Sequence, residues 1–298
     1  MNHRAICLRS LALLCLALAF HSQSNAQQPQ VVRLRDCWSK FPVGSWSRVR
    51  VTKQLHSDQK QPSTTRSRET LSTLMKVNQE GYELQLDVDV KVGDRVFDTP
   101  SQSLKRGRMR QVQGEPYRIK TQGSANLTID GRKIPTTVYQ IVYGEGESQR
   151  VSKMYYSPQV CPFVLRQESH RGTALANPPE TKVEVIALDM PYQVLTNRKT
   201  VAYVKTTKRH DERLTVTYEV HCADVPGGLV AHSSITRDAE GKLLERSSLT
   251  LLAYGSQDNP TEAKQSWLRP SRRSRLACQW HGPSQRREQP VFFAAELP

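Results

Sequence analysis

Leu84-Gln85-Leu86-Asp87-Val88-Asp89-Val90-Lys91-Val92 decides the fold class. Apolar and polar side chains alternate strictly, and a period of two describes a strand with one face buried and the other in water. Gly93-Asp94 then turns the chain toward Val96 and Phe97. A second strand of this kind carries Leu214, Val216, Tyr218 and Val220, alternating with Thr215, Thr217, Glu219 and His221. Asp130-Gly131 separates Leu127 and Ile129 from the run 134–143, and Glu240-Gly241 separates Ile235 from 243–253. Both are hairpin signals. The run 134–143 is apolar on both faces, with Val138 and Val142 on one and Tyr139, Ile141 and Tyr143 on the other. That pattern predicts a central place in the sheet.

Helix signals are few. Asn259-Pro260-Thr261-Glu262 supplies an N-cap, a proline at the first helical position and a glutamate at the third. A short helix over 260–268 follows, stopped by Pro270, and the proline- and arginine-rich remainder reads as a disordered basic tail. Residues 56–66 lack apolar side chains and read as an exposed hairpin loop. The stretch 172–180, with Pro178-Pro179, is the best interior linker. The fold class is therefore all-β, built from curved antiparallel sheet with one short C-terminal helix. The expected divisions are a leader at 1–26, a first β module at 27–175, a second at 176–256, and the helix and tail at 257–298.

The pattern allows the two modules to be related. A shift of 130 residues lays 70–90 on 200–220 without a gap and pairs Leu71 with Val201, Leu74 with Val204 and Leu84 with Leu214. A second echo joins Val160-Cys161-Pro162-Phe163-Val164-Leu165 to Val225-Pro226-Gly227-Gly228-Leu229-Val230. In each, a proline-containing turn precedes a short apolar strand.

These segments carry a resemblance. Long alternating strands followed by Tyr155-Tyr156-Ser157-Pro158 and Cys161-Pro162-Phe163-Val164-Leu165-Arg166 resemble the outer-membrane lipoprotein-carrier (LolA-like) superfamily and related exported bacterial proteins. The second copy, from Val225 through Asp238-Ala239-Glu240-Gly241-Lys242, is similar. The resemblance spans about 45–255 in pattern. It implies a half-barrel whose concave face holds acyl chains. The helices that usually close that half-barrel are not evident here, and no lipid-contacting residue transfers.

The N-terminus sets the expected compartment. Arg4 and Arg9 precede ten unbroken apolar residues at 11–20, and Ser24-Asn25-Ala26 fits a cleavage site. This is the three-part pattern of a secretory signal peptide, too short to span a bilayer, which takes about 20 apolar residues. Cys15 is not a lipobox cysteine, because Leu14 stands where a small residue is needed. Export follows, to the periplasm or beyond, after cleavage near Ala26, with no transmembrane segment in the remaining chain. Four cysteines survive cleavage: Cys37, Cys161, Cys222 and Cys278. An even count in an oxidising compartment favours two disulfides as structural staples. The expected pairing is Cys37–Cys278, because domain termini are often close, with Cys161–Cys222.

The chain carries a net charge of +15, from 43 basic and 28 acidic residues. Arg269, Arg272, Arg273, Arg275, Arg286 and Arg287 concentrate that excess near the C-terminus and are candidate contacts for an acidic envelope polymer or lipid headgroup. No aromatic-basic motif of the RNA-binding kind occurs, which argues against nucleic acid. Catalytic signatures are missing too: there is no G-x-S-x-G, Walker loop, G-x-G-x-x-G or H-E-x-x-H. Asp87 and Asp89 share a strand face about 7 Å apart, a separation an inverting glycosidase could use, but their alternation with Gln85 and Lys91 marks a solvated face. His221-Cys222 with His210 and His232 lacks metal-ligand spacing. No cofactor is implied.

Tyr139, Tyr143, Tyr155 and Tyr156 are the aromatics that could line a groove, although tyrosines on strands more often pack. The sequence therefore reads as a non-catalytic exported protein that binds a lipid or other amphiphile on a concave sheet. The alternatives are a scaffold docking through its arginine tail and, less favoured, a hydrolase using Asp87 and Asp89.

Overall fold

The computed structural model describes residues 34–56, 64–92, 95–107, 116–146, 149–172 and 178–256. The candidate helix at 260–268, the arginine-rich tail, Cys278 and the leader lie outside them. The described chain is antiparallel β-sheet with no α-helix.

The strands are β1 (Trp46–Leu55), β2 (Thr64–Val77), β3 (Gly81–Val92), β4 (Arg95–Asp98), β5 (Gln102–Gly107), β6 (Tyr117–Ile129), β7 (Arg132–Tyr143), β8 (Arg150–Tyr156), β9 (Val164–Arg171), β10 (Thr181–Val194), β11 (Asn197–His210), β12 (Arg213–Cys222), β13 (Leu229–Arg237) and β14 (Leu243–Gly255). They form one curved sheet in the order β4-β3-β2-β1-β14-β13-β12-β11-β10-β9-β8-β7-β6, with β5 also paired to β3. The sheet does not close: β6 is one edge, and β4 and β5 lie at the other. After β5 the chain crosses to the far edge and then meanders back strand by strand until β14 meets β1. The stretch 172–180 joins β9 to β10, which pair directly, so it connects neighbours within one sheet.

Directly opposed residues share a face of a sheet, so the register defines continuous rows across it. One row runs Val92, Arg66, Lys53, Ser247, Ser234, Thr217, Thr206, Val183, Gln167, Met154, Tyr139, Thr121, crossing twelve strands from β3 to β6. The face carrying this row is called the inner face. Its β7–β8 part supplies Tyr139, Ile141, Tyr143, Met154 and Tyr156 to a core cluster that Leu34 and Phe163 complete. Its β9–β11 part supplies Leu165, Val185, Ala202 and Val204 to a second cluster, which Ile129 and Ile134 from the β6–β7 turn complete. A third gathers Val194, Val201, Val220, Cys222, Val225, Val230 and Leu251. Full burial of an aliphatic side chain such as Ile141 or Leu165, both under 2% exposed, is worth about 1.5–3 kcal/mol.

The run 134–143 is β7, second from an edge rather than central. Its apolar character on both faces has a different cause. One half packs into the first cluster through Tyr139, Ile141 and Tyr143, while Ile134 packs against β9–β11 residues in the second. The folded-over turn is fixed by Asp130, whose Oδ2 accepts the Leu188 N–H at 3.3 Å, and by an Arg132–Asp189 ion pair.

The 130-residue superposition does not hold in register. Leu74 opposes Leu84, but Val204 opposes Glu219 and Leu214 opposes Arg209. The second echo is instead one corner of a longer repeat with a shift of 65. All seven β7–β8 pairs recur between β11 and β12, from Thr137↔Tyr156 and Ala202↔His221 to Tyr143↔Arg150 and Lys208↔Thr215. All seven β8–β9 pairs recur between β12 and β13, including the bulge that follows Tyr155↔Arg166 and Val220↔Ala231. The β6–β7 turn repeats as the β10–β11 turn, with Asp130 at φ 50° and Leu195 at φ 53°. Strands β6–β9 and β10–β13 are thus the same four-strand unit in tandem.

Candidate functional site

The inner face changes chemistry along its rows. From β7 to β11 it carries the first two core clusters, while β6 is mostly exposed. Across β11–β14 it becomes a hydroxyl ladder: Thr217 and Ser234 lie 2.8 Å apart, and Thr215 and Thr236 3.0 Å apart, at their side-chain oxygens. Glu219 and His232 oppose each other beside it, with His232 Nε2 3.3 Å from Ser247 Oγ and Glu219 Oε2 3.0 Å from His221 Nε2. Burial pushes the His232 imidazole below its ordinary value, with Glu219 pulling the other way and Lys53 adding to the fall.

On β1–β3 the same face turns aliphatic. Val49 and Val51 on β1 stand in rows with Leu249 and Leu251 of β14, and β3 adds Leu84, Leu86, Val88, Val90 and Val92. Leu84 is buried, while Leu86, Val88, Val90 and Val92 are only half-buried, and no helix among the described residues covers them. Between the valines sit cations. Arg68 lies directly between Val51 and Val90, and Arg66 between Lys53 and Val92. Lys53 pairs with Glu245 at 3.0 Å. Arg66 and Arg68 are exposed and make no ion pair with a described residue. The inner face of β1–β3 is therefore an aliphatic strip that also carries two exposed guanidinium groups with no ion pair to a described residue.

The residues singled out from sequence are dispersed. Tyr139, Tyr143 and Tyr156 point to the inner face but are buried in the first core cluster. Tyr139 stands edge-on to Tyr156 at 6.4 Å between ring centres, and burial raises its phenol. Tyr155 is on the opposite, outer face, between Lys153 at 5.4 Å and Arg166 at 5.8 Å from its ring centre. A cleft of about 300 Å³ beside Tyr156 has a mixed lining, with Ser124, Asn126, Thr137 and Gln159 alongside Ala125, Pro135 and Pro158. Asp87 accepts hydrogen bonds from Ser101 and Gln85, in the pattern of a polar strand face. His210 stands apart from His221 and His232, near Glu180 and Asp211. Among the described residues no three His, Cys, Asp or Glu side chains are placed to hold a metal ion.

Cys278 of the expected Cys37–Cys278 pair lies outside the described residues, and the expected Cys161–Cys222 bond is not formed. Cys37, Cys161 and Cys222 are not joined to one another by a disulfide. The Cys37 and Cys161 sulfurs are 3.8 Å apart, within hydrogen-bonding reach. Cys222 is packed in the third core cluster. The sequence places Arg66 in the exposed loop at 56–66 and singles out nothing at Arg68, whereas β2 begins at Thr64 and its register puts both on the face of the β3 valines.

No family model matches this chain, and neither the curated proteins nor the solved structures give a significant match. No helix among the described residues is long and apolar enough to cross a membrane.

Proposed function

We propose that this chain is an exported, non-catalytic envelope protein that binds an anionic amphiphile on the inner face of β1–β3. The observation that carries this reading is the aliphatic strip of Val51, Leu86, Val88 and Val90, interrupted by Arg68 and Arg66, which are exposed and make no ion pair with a described residue. Each methylene buried on such a strip contributes about 0.8 kcal/mol, and each arginine near an anionic head adds about 1 kcal/mol. The resemblance of the strand pattern to lipoprotein carriers, whose curved sheets hold acyl chains, supports the same reading. Leu86, Val88 and Val90 are only half-buried, and no helix among the described residues covers them, which supports the same reading.

Native mass spectrometry of the protein, purified without detergent from cells that export it, tests the proposal. A reproducible adduct of lipid mass that is lost on denaturation is expected. A bare protein mass, together with no uptake of added lysophosphatidylglycerol, contradicts it.

A further inference from the structure

Residues 34–41 run against two corners of the sheet that the 65-residue repeat makes equivalent. In the first corner the Ser157 N–H donates to the Phe163 carbonyl at 2.8 Å; in the second the Cys222 N–H donates to the Gly228 carbonyl at 2.7 Å. The N-terminal segment touches both. Leu34 enters the first core cluster, and the Arg35 N–H donates to Tyr156 Oη at 3.0 Å. Lys40 Nζ donates to the Ala223 carbonyl of the second corner. Asp36 Oδ1 holds the turn between, accepting from the N–H groups of Trp38 at 2.7 Å and Ser39 at 2.9 Å.

Cys37 stands at the junction. Its Sγ is 3.8 Å from Cys161 Sγ in the first corner. Its Cβ and Sγ lie 3.2 Å from where a side chain on Gly228 would begin in the second. It is 4% exposed, and Asp36 and Trp38 on either side are tethered, so its position is fixed by more than its own contacts.

We infer that Cys37 and Cys161 form a disulfide that fastens the N-terminal segment across the two repeat corners. The two sulfurs are already in contact at 3.8 Å, and bonding brings them to about 2.05 Å. In the step itself two S–H bonds break and one S–S bond forms. The two electrons and two protons pass to an external disulfide, which leaves as two thiols. In the folded chain the Cys161 thiol is pushed well above its ordinary value, first by its hydrogen bond with Cys37 and then by burial. Bonding therefore belongs to folding, before the segment seats and the thiolate is suppressed. This pairing displaces both expected ones: Cys37 is taken by Cys161, which leaves Cys222 as a buried core thiol on the other side of the junction.

The test is peptide mapping of the full chain, reduced and denatured, refolded in a glutathione redox buffer, alkylated and digested without reduction. The expected product is a peptide linking Cys37 to Cys161, retained in Cys222→Ser. The link closes a loop of over a hundred residues, so reducing it should lower the melting temperature by roughly 5–15 °C. A Cys37–Cys278 or Cys161–Cys222 link, or alkylation of both Cys37 and Cys161 in the refolded chain, overturns the inference. Because the unsubstituted chain gives the decisive map, a variant that fails to fold does not blunt the test.

Discussion

The Cys222 amide donates to the Gly228 carbonyl at 2.7 Å, closing a corner in which Gly227 and Gly228 both have positive φ, 81° and 80°. The same closure 65 residues earlier, from Ser157 to Phe163, is made without glycine. One backbone shape is thus built from two side-chain sets, and the second needs its glycines for a reason the first does not share. A Cβ on Gly227 would come within 2.8 Å of the Trp38 ring, and one on Gly228 within 3.2 Å of Cys37.

Gly227→Ala should therefore combine left-handed backbone strain with a clash against a seated indole. The expected loss is about 2–4 kcal/mol, read as a lower midpoint in urea unfolding. Gly241→Ala, with a similar φ of 81° but nothing within 4 Å, should cost only about 1–2 kcal/mol. Equal losses would mean that the N-terminal segment does not press on the corner.

The second core cluster ties the folded-over β6–β7 turn to β9–β11 through Leu165, which is 1% exposed. Leu165→Ala should cost about 2–5 kcal/mol. Hydrogen exchange should speed up in both β6–β7 and β10–β11, because the cavity opens between them. A loss confined to β9 would argue against that packing.

His232 carries a pH dependence of defined sign. Burial depresses its folded value below the ordinary 6.5, so the unfolded chain binds the proton more readily. Stability from this group is fully present above about pH 6.5 and falls as the pH drops toward the lower folded value. Unfolding free energies of the natural chain and His232→Gln, compared from pH 7.5 to 5, should converge as the pH falls. A constant difference across that range would mean that His232 titrates normally.

The strand content was legible because alternation is written directly into residues: Leu84 to Val92 appears as β3 and Leu214 to Val220 within β12. The Asp130-Gly131 and Glu240-Gly241 turns also stand where the sequence puts them, between β6 and β7 and between β13 and β14. The repeat was nearly invisible. At a shift of 65 the described strands keep only scattered identities such as Val151 with Val216 and Ser169 with Ser234, because register is held by backbone pairing and tolerates different side chains. Only the corner at Val160 and Val225 left a trace. The position of β7 was misread because burial on both faces was ascribed to a central strand, whereas a hairpin folding onto its neighbours produces it one strand from an edge. The candidate site was hidden for a related reason. Arg66 and Arg68 acquire meaning only opposite Val92 and Val90, and cross-strand pairing of residues so far apart is not readable from either strand alone.

The most direct test of the amphiphile site is titration with lysophosphatidylglycerol and with the zwitterionic lysophosphatidylcholine, both below micelle formation, followed by native mass spectrometry. The account predicts that the anionic lipid binds at one-to-one stoichiometry and more tightly than the zwitterionic one. In Arg66→Gln/Arg68→Gln that preference should fall roughly tenfold or more, and Val88→Asp should remove binding of both lipids. Equal affinity for the two lipids, or binding untouched by both variants, would contradict it.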